Sequence, residues 1–217
     1  MILNLRLRLK KAAKDLLYLL GVGVLWPVCR LLFRLRVHGR KNLPKPGDGA
    51  ILIARHRSYW DIPLLAVAVG WRRQISFVAR KSLIQENPFI GLFVKLYAIP
   101  IDREHFRRSD YRNVLKAITA QKLVGIFPEG TTKGAEFPKT GVVRFAARTG
   151  QKILPVRLLA HGPYPPRYPF RFPRIEVRIG RPFHLEELER ELPPVLEGKE
   201  RERRLSLMLM ERIEAVA

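Results

Sequence analysis

Cysteine is almost absent from this sequence, and that scarcity excludes several classes of site. The single cysteine, Cys29, excludes an internal disulfide framework and a cysteine-rich zinc site. The five histidines do not fall in the HExxH spacing of zinc proteases. One unpaired thiol is consistent with a reducing, cytoplasmic environment.

Acidic residues are also scarce, with 19 against 41 lysines and arginines, which gives a net charge of +22. That charge exceeds what solubility requires. It favours a polyanionic partner: nucleic acid, an anionic membrane surface or a phosphorylated substrate. The nucleic-acid alternative has no helix-turn-helix, zinc-finger or RNP-like pattern to support it.

A long apolar run is missing too. The run from Leu16 to Cys29 is uncharged, but it is shorter than the roughly 20 residues that a spanning helix needs. Basic residues flank it on both sides: Lys10, Lys11 and Lys14 before it, and Arg30, Arg34 and Arg36 after it. A signal peptide is disfavoured because no small-residue cleavage pattern follows.

Residues 1–41 are therefore predicted to form an amphipathic helical hairpin at the membrane interface. Its apolar faces would enter the interface, and its lysines and arginines would meet anionic headgroups. Glycine and proline predict where the hairpin bends: near Gly21, Gly23 and Pro27. The alternative is a hairpin packed on its own domain.

Residues 42–217 of this 217-residue chain are predicted to form an α/β domain. Its sheet is expected to be mixed, largely parallel and flanked by helices, because short apolar runs alternate with helical patterns. The predicted strands are Ala50–Ala54, Ile75–Ala79, Ala98–Ile101, Leu123–Phe127, Ile153–Leu159 and Arg174–Ile179. The predicted helices are Ile62–Val69, Pro88–Leu96, Tyr111–Ala120 and Gly141–Thr149, with one or two charged helices after Leu185.

The stretch RHRSYWDIP places His56 just after a predicted strand and Asp61 at the start of a predicted helix. Ligands of open α/β sheets bind at the carboxyl edge of the strands. A carboxylate on one imidazole nitrogen leaves the other nitrogen free to take a proton from a hydroxyl. In the alternative, Asp61 or Ser58 merely caps the helix and His56 lies on a loop.

Three further segments carry candidate binding residues. The stretch GIFPEGTTKG is not a Walker loop, but a glycine, two hydroxyls and a lysine after a strand can form an anion-binding turn through backbone N–H groups; an ordinary surface turn is the alternative. Arg103 directly follows a predicted strand, which suits bidentate phosphate recognition, unless it only pairs with Asp102. Pro155 inside the run ILPVRL implies a sheet edge or a bulge.

Taken in order, these segments resemble the glycerophospholipid acyltransferase family, and within it the members that acylate 1-acylglycerol 3-phosphate. The resemblance covers roughly residues 45–160. It rests on four blocks: His56–Asp61, Ile101–Arg103, Phe127–Thr131 and Leu154–Val156. Lys81 and Lys139 also match family positions. The sequence departs from the family pattern at Arg55, where asparagine is usual, and at Thr132–Lys133, where arginine–serine is common.

The resemblance implies acyl transfer from an acyl thioester, on acyl carrier protein or coenzyme A, to the free sn-2 hydroxyl of 1-acylglycerol 3-phosphate. His56 would be the general base, Asp61 its partner and Arg103 the phosphate clamp. Further implied contacts are Glu129, Gly130, Thr131, Thr132, Lys133, Lys139, Pro155 and Lys81. No metal, cofactor or acyl-enzyme is implied.

The expected location is peripheral, on the cytoplasmic face of an anionic membrane. The nearest alternative is an acyltransferase of this family that uses another acceptor, such as glycerol 3-phosphate, another lysophospholipid or a lyso-aminolipid. More distant alternatives are a basic nucleic-acid-binding protein and a non-catalytic lipid-binding homologue.

Overall fold

The computed structural model describes residues 2–45, 47–71, 73–86, 88–131, 137–167 and 171–217. Its helices are α1 (Ile2–Leu32), α2 (Asp61–Val69), α3 (Leu83–Glu86), α4 (Pro88–Tyr97), α5 (Arg108–Thr119), α6 (Gly141–Thr149), α7 (Leu185–Glu189) and α8 (Gly198–Glu214). Its strands are β1 (Arg36–His38), β2 (Ala50–Ile53), β3 (Ile75–Arg80), β4 (Ile99–Ile101), β5 (Leu123–Ile126), β6 (Ile153–His161) and β7 (Arg174–Ile179).

The described strands form one sheet in the order β1-β7-β6-β2-β5-β3-β4. Strands β6, β2, β5, β3 and β4 run parallel to one another, whereas β7 is antiparallel to β6 and β1 runs parallel to β7. The predicted α/β fold with a mixed, largely parallel sheet is confirmed. Strand β1 was not predicted, because three residues are too few for alternation to mark a strand; pairing with β7 holds it in the sheet.

Helices cover both faces of this sheet. Ala50 and Leu52 of β2 enter the core shared with α1 and α2, while Ile51 and Ile53 enter the core shared with α5, α6, α7 and α8. A strand covered on both faces has no polar side, which is why β2 reads as a continuous apolar run. The carboxyl end of β2 lies at the centre of the sheet edge, where the loop to α2 begins.

A single helix, α1, replaces the predicted N-terminal hairpin, so that prediction is wrong. A proline ring crowds the carbonyl four residues earlier and removes one helix hydrogen bond, so Pro27 would weaken this helix in isolation. Tyr18 and Cys29, on either side of Pro27, are both buried against the domain. Tertiary packing on both sides of the proline therefore outweighs its helix-breaking tendency.

Helix α1 docks on the domain along one face and leaves the other face exposed. Tyr18, Val22 and Cys29 are buried at helical spacing. The exposed face carries large apolar side chains: Leu16, Leu17, Leu20, Val24, Trp26 and Leu31. By length and composition alone, Arg8–Leu32 is long and apolar enough to cross a membrane.

Pro155 lies in an internal strand, so the edge alternative for this proline is wrong and the bulge alternative is correct. Residues 179–183 oppose residues 153–156 of β6, with one residue more on the β7 side. The Gly180 N–H donates to the Pro155 carbonyl at 2.9 Å. The N–H that proline lacks therefore falls at this irregularity, where the regular ladder is already interrupted.

Candidate active site

The loop between β2 and α2 brings His56 and Asp61 into contact at the carboxyl edge of the sheet. Their Nδ1 and Oδ2 atoms lie 3.1 Å apart. The Asp61 side chain is only 1% exposed and that of His56 only 13%. The pair is therefore shielded from bulk water, which strengthens the interaction between a charged carboxylate and the imidazole.

Asp61 is fixed by donors on both of its carboxylate oxygens. Oδ2 accepts the backbone N–H groups of Arg57 at 2.7 Å and Ser58 at 2.8 Å, and Oδ1 accepts the Tyr164 hydroxyl. Asp61 is the first residue of α2, whose N-cap position is Trp60 without a side-chain cap. The helix-capping alternative for Asp61 is therefore wrong, because its carboxylate turns back to the loop that carries His56.

The His56 ring is held by stacking as well as by Asp61. Its centroid lies 4.1 Å from that of Phe127, with 13° between the ring planes. Phe127 in turn stacks on Phe77 in the core. Within the described part of the chain Nε2 of His56 has no hydrogen-bond partner, so this nitrogen is available to a substrate hydroxyl.

Glu129 lies beneath the His56 loop and is only 4% exposed. Its Oε2 accepts the His56 backbone N–H at 2.8 Å, and its Oε1 accepts Nε and Nη2 of Arg55 at 3.0 and 2.7 Å. The hydrogen bond to Glu129 raises the pKa of Arg55. Arg55 also donates to Glu214 of α8 at 3.1 Å, so this network ties the loop to the C-terminal helix.

The turn after β5 brings basic side chains to the same edge. Gly130 has φ +68° and donates its N–H to the Phe127 carbonyl at 2.9 Å. A Cβ at Gly130 would lie 3.6 Å from Nη2 of Arg103 and 3.7 Å from Cγ of Lys139. Glycine thus serves the left-handed backbone, and both basic side chains lie at ordinary contact distance from this turn. Thr131 follows directly and is half-buried.

Arg103 is not paired with its neighbour Asp102 in this structure. Asp102 instead accepts the backbone N–H groups of Glu104 and His105 at 3.1 and 2.9 Å, which shapes the turn after β4. Partial burial and the nearby Arg80 guanidinium lower the pKa of Arg103, yet an arginine stays charged at neutral pH. Arg80 is itself paired with Glu86 at 2.9 Å, so within the described residues Arg103 is the member of this pair without a carboxylate partner, and its charge favours an anion.

The remaining predicted binding residues fall in different places. Lys81 donates its backbone N–H to Ile101 at 2.9 Å and has an exposed side chain. Pro155 lies within β6, and a Cβ at Gly180 would lie 3.0 Å from its ring. Thr132 and Lys133 lie outside the described residues. Contacts of these residues with a substrate remain predictions.

Sequence reasoning missed two residues that contact the site. Tyr164 reaches Asp61 from the proline-rich segment after β6, and Glu214 reaches Arg55 from the end of α8. Both are separated from their partners by more than a hundred residues. Neither lies in a motif, so only tertiary contacts could reveal them.

Comparison with known proteins gives a consistent family. A family model described as Acyltransferase matches residues 34–159, a range that contains every predicted site residue. The chain is 31% identical to the 1-acyl-sn-glycerol-3-phosphate acyltransferase of Bacillus subtilis strain 168, over 69% of this chain and 74% of that protein. The enzyme of the same name from Streptococcus pneumoniae is 27% identical, over 70% of this chain and 57% of that protein.

A solved structure supports the fold. The crystal structure of the 1-acyl-sn-glycerophosphate (LPA) acyltransferase PlsC from Thermotoga maritima superposes with a TM-score of 0.69 and 21% identity. The superposition covers 94% of this chain and 81% of that one. The similarity therefore extends beyond residues 34–159 into both ends of the chain.

Proposed function

Because the chain belongs to the acyltransferase family, we propose that it moves an acyl chain from an acyl thioester to the free sn-2 hydroxyl of 1-acylglycerol 3-phosphate. The product is phosphatidic acid. The observation that carries this proposal is the shielded contact between His56 and Asp61 at the sheet edge. The guanidinium of Arg103 lies beside the nearby Gly130 turn. Relatives that bear the name of this activity support the choice of acceptor.

His56 acts as the general base. Its Nε2 takes the proton of the acceptor hydroxyl while the hydroxyl oxygen attacks the thioester carbonyl. The new C–O ester bond forms, the C–S bond breaks, and the departing sulfur takes the proton back from the imidazolium. Since a placed base contributes about 10²–10⁴-fold, positioning of the acceptor must supply much of the remaining rate enhancement.

Asp61 orients the ring and stabilises the imidazolium that forms on it. Its Oδ2 accepts Nδ1–H, which leaves Nε2 unprotonated for the hydroxyl. The two loop N–H groups and the Tyr164 hydroxyl hold the carboxylate in place. Tyr164 is therefore a positioning residue, since it acts on the imidazole through Asp61.

Arg103 binds the phosphate of the acceptor. Its guanidinium lies beside Gly130. The preceding residue, Glu129, accepts the backbone N–H of His56 with its carboxylate. Within the described residues no carboxylate forms an ion pair with Arg103, so its donors are available for bidentate recognition. Lys139 and Thr131 lie next to the same turn and are further candidate contacts.

Helix α1 places the enzyme on the membrane that holds its acceptor. One face of α1 is buried on the domain and the other exposes large apolar side chains, an arrangement suited to the interface rather than to full insertion. Leu92 and Phe93 of α4 add to the exposed apolar surface. Each CH₂ moved into water would cost about 0.8 kcal/mol, so lateral delivery of the acyl chain avoids a large penalty. We place this surface on the anionic cytoplasmic leaflet.

The reaction needs an acyl thioester as co-substrate and no cofactor or metal. Both acyl carrier protein and coenzyme A present the same thioester, so the geometry of the His56 site does not distinguish them. A phosphate clamp alone also accommodates glycerol 3-phosphate or another lysophospholipid. The donor and the acceptor therefore have to be measured together.

The test supplies one thioester and a series of acceptors to the wild-type protein and to His56→Ala. We expect phosphatidic acid from 1-acylglycerol 3-phosphate, and a loss of at least about 10²-fold in kcat for the variant. Binding of both proteins to anionic vesicles is the control and should be equal. The proposal would be refuted if the protein acylated only acceptors that lack a phosphate, or if His56→Ala kept full turnover.

A further inference from the structure

One face of the β1-β7-β6 part of the sheet is strongly basic. Along β7, Ile175, Val177 and Ile179 enter the core shared with α1, so the alternate residues project from the opposite face. Cross-strand pairing adds residues of β1 and β6 to that face. We call this surface the basic ribbon: Arg36, His38, Arg157, His161, Arg174 and Arg178.

The basic ribbon is poorly neutralised. Two carboxylates contact these residues. The oxygens of Glu176 lie 3.3 Å from His161, 3.3 Å from Arg174 and 3.2 Å from Arg178. Glu214 of α8 lies 3.3 Å from Arg157 and is shared with Arg55. Arg178 lies directly opposite Arg157 on the neighbouring strand, a pairing of like charges that destabilises a sheet. Each of these two arginines has a carboxylate contact, but positive charges still outnumber negative ones on the ribbon, which favours an external anion.

The ribbon is accessible to a partner. Helix α8 ends beside it, where Val216 contacts Gly180, and the paired ribbon side chains beyond that point remain 30–49% exposed. The ribbon lies on the face of the sheet opposite α1. If the exposed apolar face of α1 meets lipid, the ribbon faces the aqueous side. Its occupant is therefore a soluble molecule.

The ribbon is also connected to the candidate active site. Arg157 lies 3.3 Å from Glu214, which accepts a hydrogen bond from Arg55, the residue before His56. The ribbon extends from this point by about 13 Å along β7 and about 10 Å across three strands. A protein helix with acidic residues along one face matches this spread.

We propose that the basic ribbon docks the acidic protein that carries the acyl thioester. This inference rests on the proposed function and assigns the partner of the same site. Complementary charge at such a surface speeds encounter and selects the partner. Docking at the ribbon brings the flexible arm of the carrier to the loop of His56, while the acceptor arrives from the membrane on the other side.

The test compares two donors with the double variant Arg174→Gln/Arg178→Gln. The charge-matched control is Arg148→Gln/Lys152→Gln, which changes exposed residues at the opposite, amino-end edge of the sheet. With acylated acyl carrier protein, kcat/KM should fall about ten- to thirtyfold in the ribbon variant and less than about twofold in the control. With acyl coenzyme A, both variants should stay within about twofold of wild type.

Direct binding of acyl carrier protein, followed by fluorescence anisotropy across a salt series, gives a second measurement that does not depend on turnover. Wild type and control should bind the carrier, and their affinity should fall as salt rises. The ribbon variant should bind the carrier at least about tenfold more weakly than wild type. Equal loss with both donors, or no loss with either, would overturn the docking surface. A wild-type protein that uses coenzyme A but not the carrier would refute only the docking, whereas failure with both donors would refute the proposed function.

Discussion

Replacing Asp61 by asparagine isolates the effect of its charge on the imidazole. The asparagine carbonyl fits the Oδ2 position, where it can accept the N–H groups of Arg57 and Ser58 and the Nδ1–H of His56. The amide NH₂ then faces the Tyr164 hydroxyl, which can rotate and accept a hydrogen bond. The substitution therefore keeps the hydrogen-bond geometry and removes the negative charge.

The expected loss follows from the distance between the two charges in the transition state. With Nδ1 and Oδ2 3.1 Å apart, the charge centres are about 4 Å apart. The attraction between them is then about 4 kcal/mol at an effective dielectric constant of about 20. Because each 1.36 kcal/mol is a factor of ten, kcat should fall about 10³-fold, while KM for the acceptor should change little.

The assay follows release of free thiol from acyl coenzyme A with a chromogenic disulfide, and mass spectrometry confirms phosphatidic acid. The matched control is Asp110→Asn, since Asp110 also lies in the first turn of a helix and accepts an upstream backbone N–H at 2.9 Å. Its activity should stay near wild type, and circular dichroism should show similar unfolding midpoints for all three proteins. A loss smaller than about tenfold in Asp61→Asn would show that the carboxylate only braces the loop.

Other changes test separate parts of the site. Tyr164→Phe keeps the ring but removes the donor to Asp61, so kcat should fall about tenfold with KM unchanged. A fall in kcat that comes with a lower unfolding temperature and an unchanged pH–rate profile would indicate a merely structural role. Arg103→Ala should raise KM for 1-acylglycerol 3-phosphate about 10–100-fold and leave KM for the donor unchanged, with Arg103→Lys showing an intermediate effect; an unchanged acceptor KM would remove the phosphate assignment. Burial raises the pKa of Cys29 to about 11, so at pH 8 only about one thiol in a thousand is ionised; chromogenic labelling should be slow until the protein is denatured, and fast labelling of the native protein would show that α1 is not docked.

Much of the architecture follows from local pattern. Strand Arg174–Ile179 and helix Gly141–Thr149 have the predicted bounds, because alternating or helical apolar spacing marks them without reference to the rest of the chain. Predictions failed where tertiary contacts override local preference. Helix α1 continues through Pro27 because the domain holds both of its halves. For Pro155 the sequence left an edge and a bulge open, and only strand pairing selected the bulge.

The candidate site divides along the same line. The sequence by itself determined that His56 follows a strand, that Asp61 begins a helix and that a glycine turn follows β5, since each is a local feature of a few consecutive residues. Only the tertiary structure decided that Tyr164 holds Asp61, that Glu214 reaches Arg55 and that the basic ribbon forms one surface. These contacts join residues far apart in the chain, and the packing of the whole sheet, rather than any short motif, sets the distances between them.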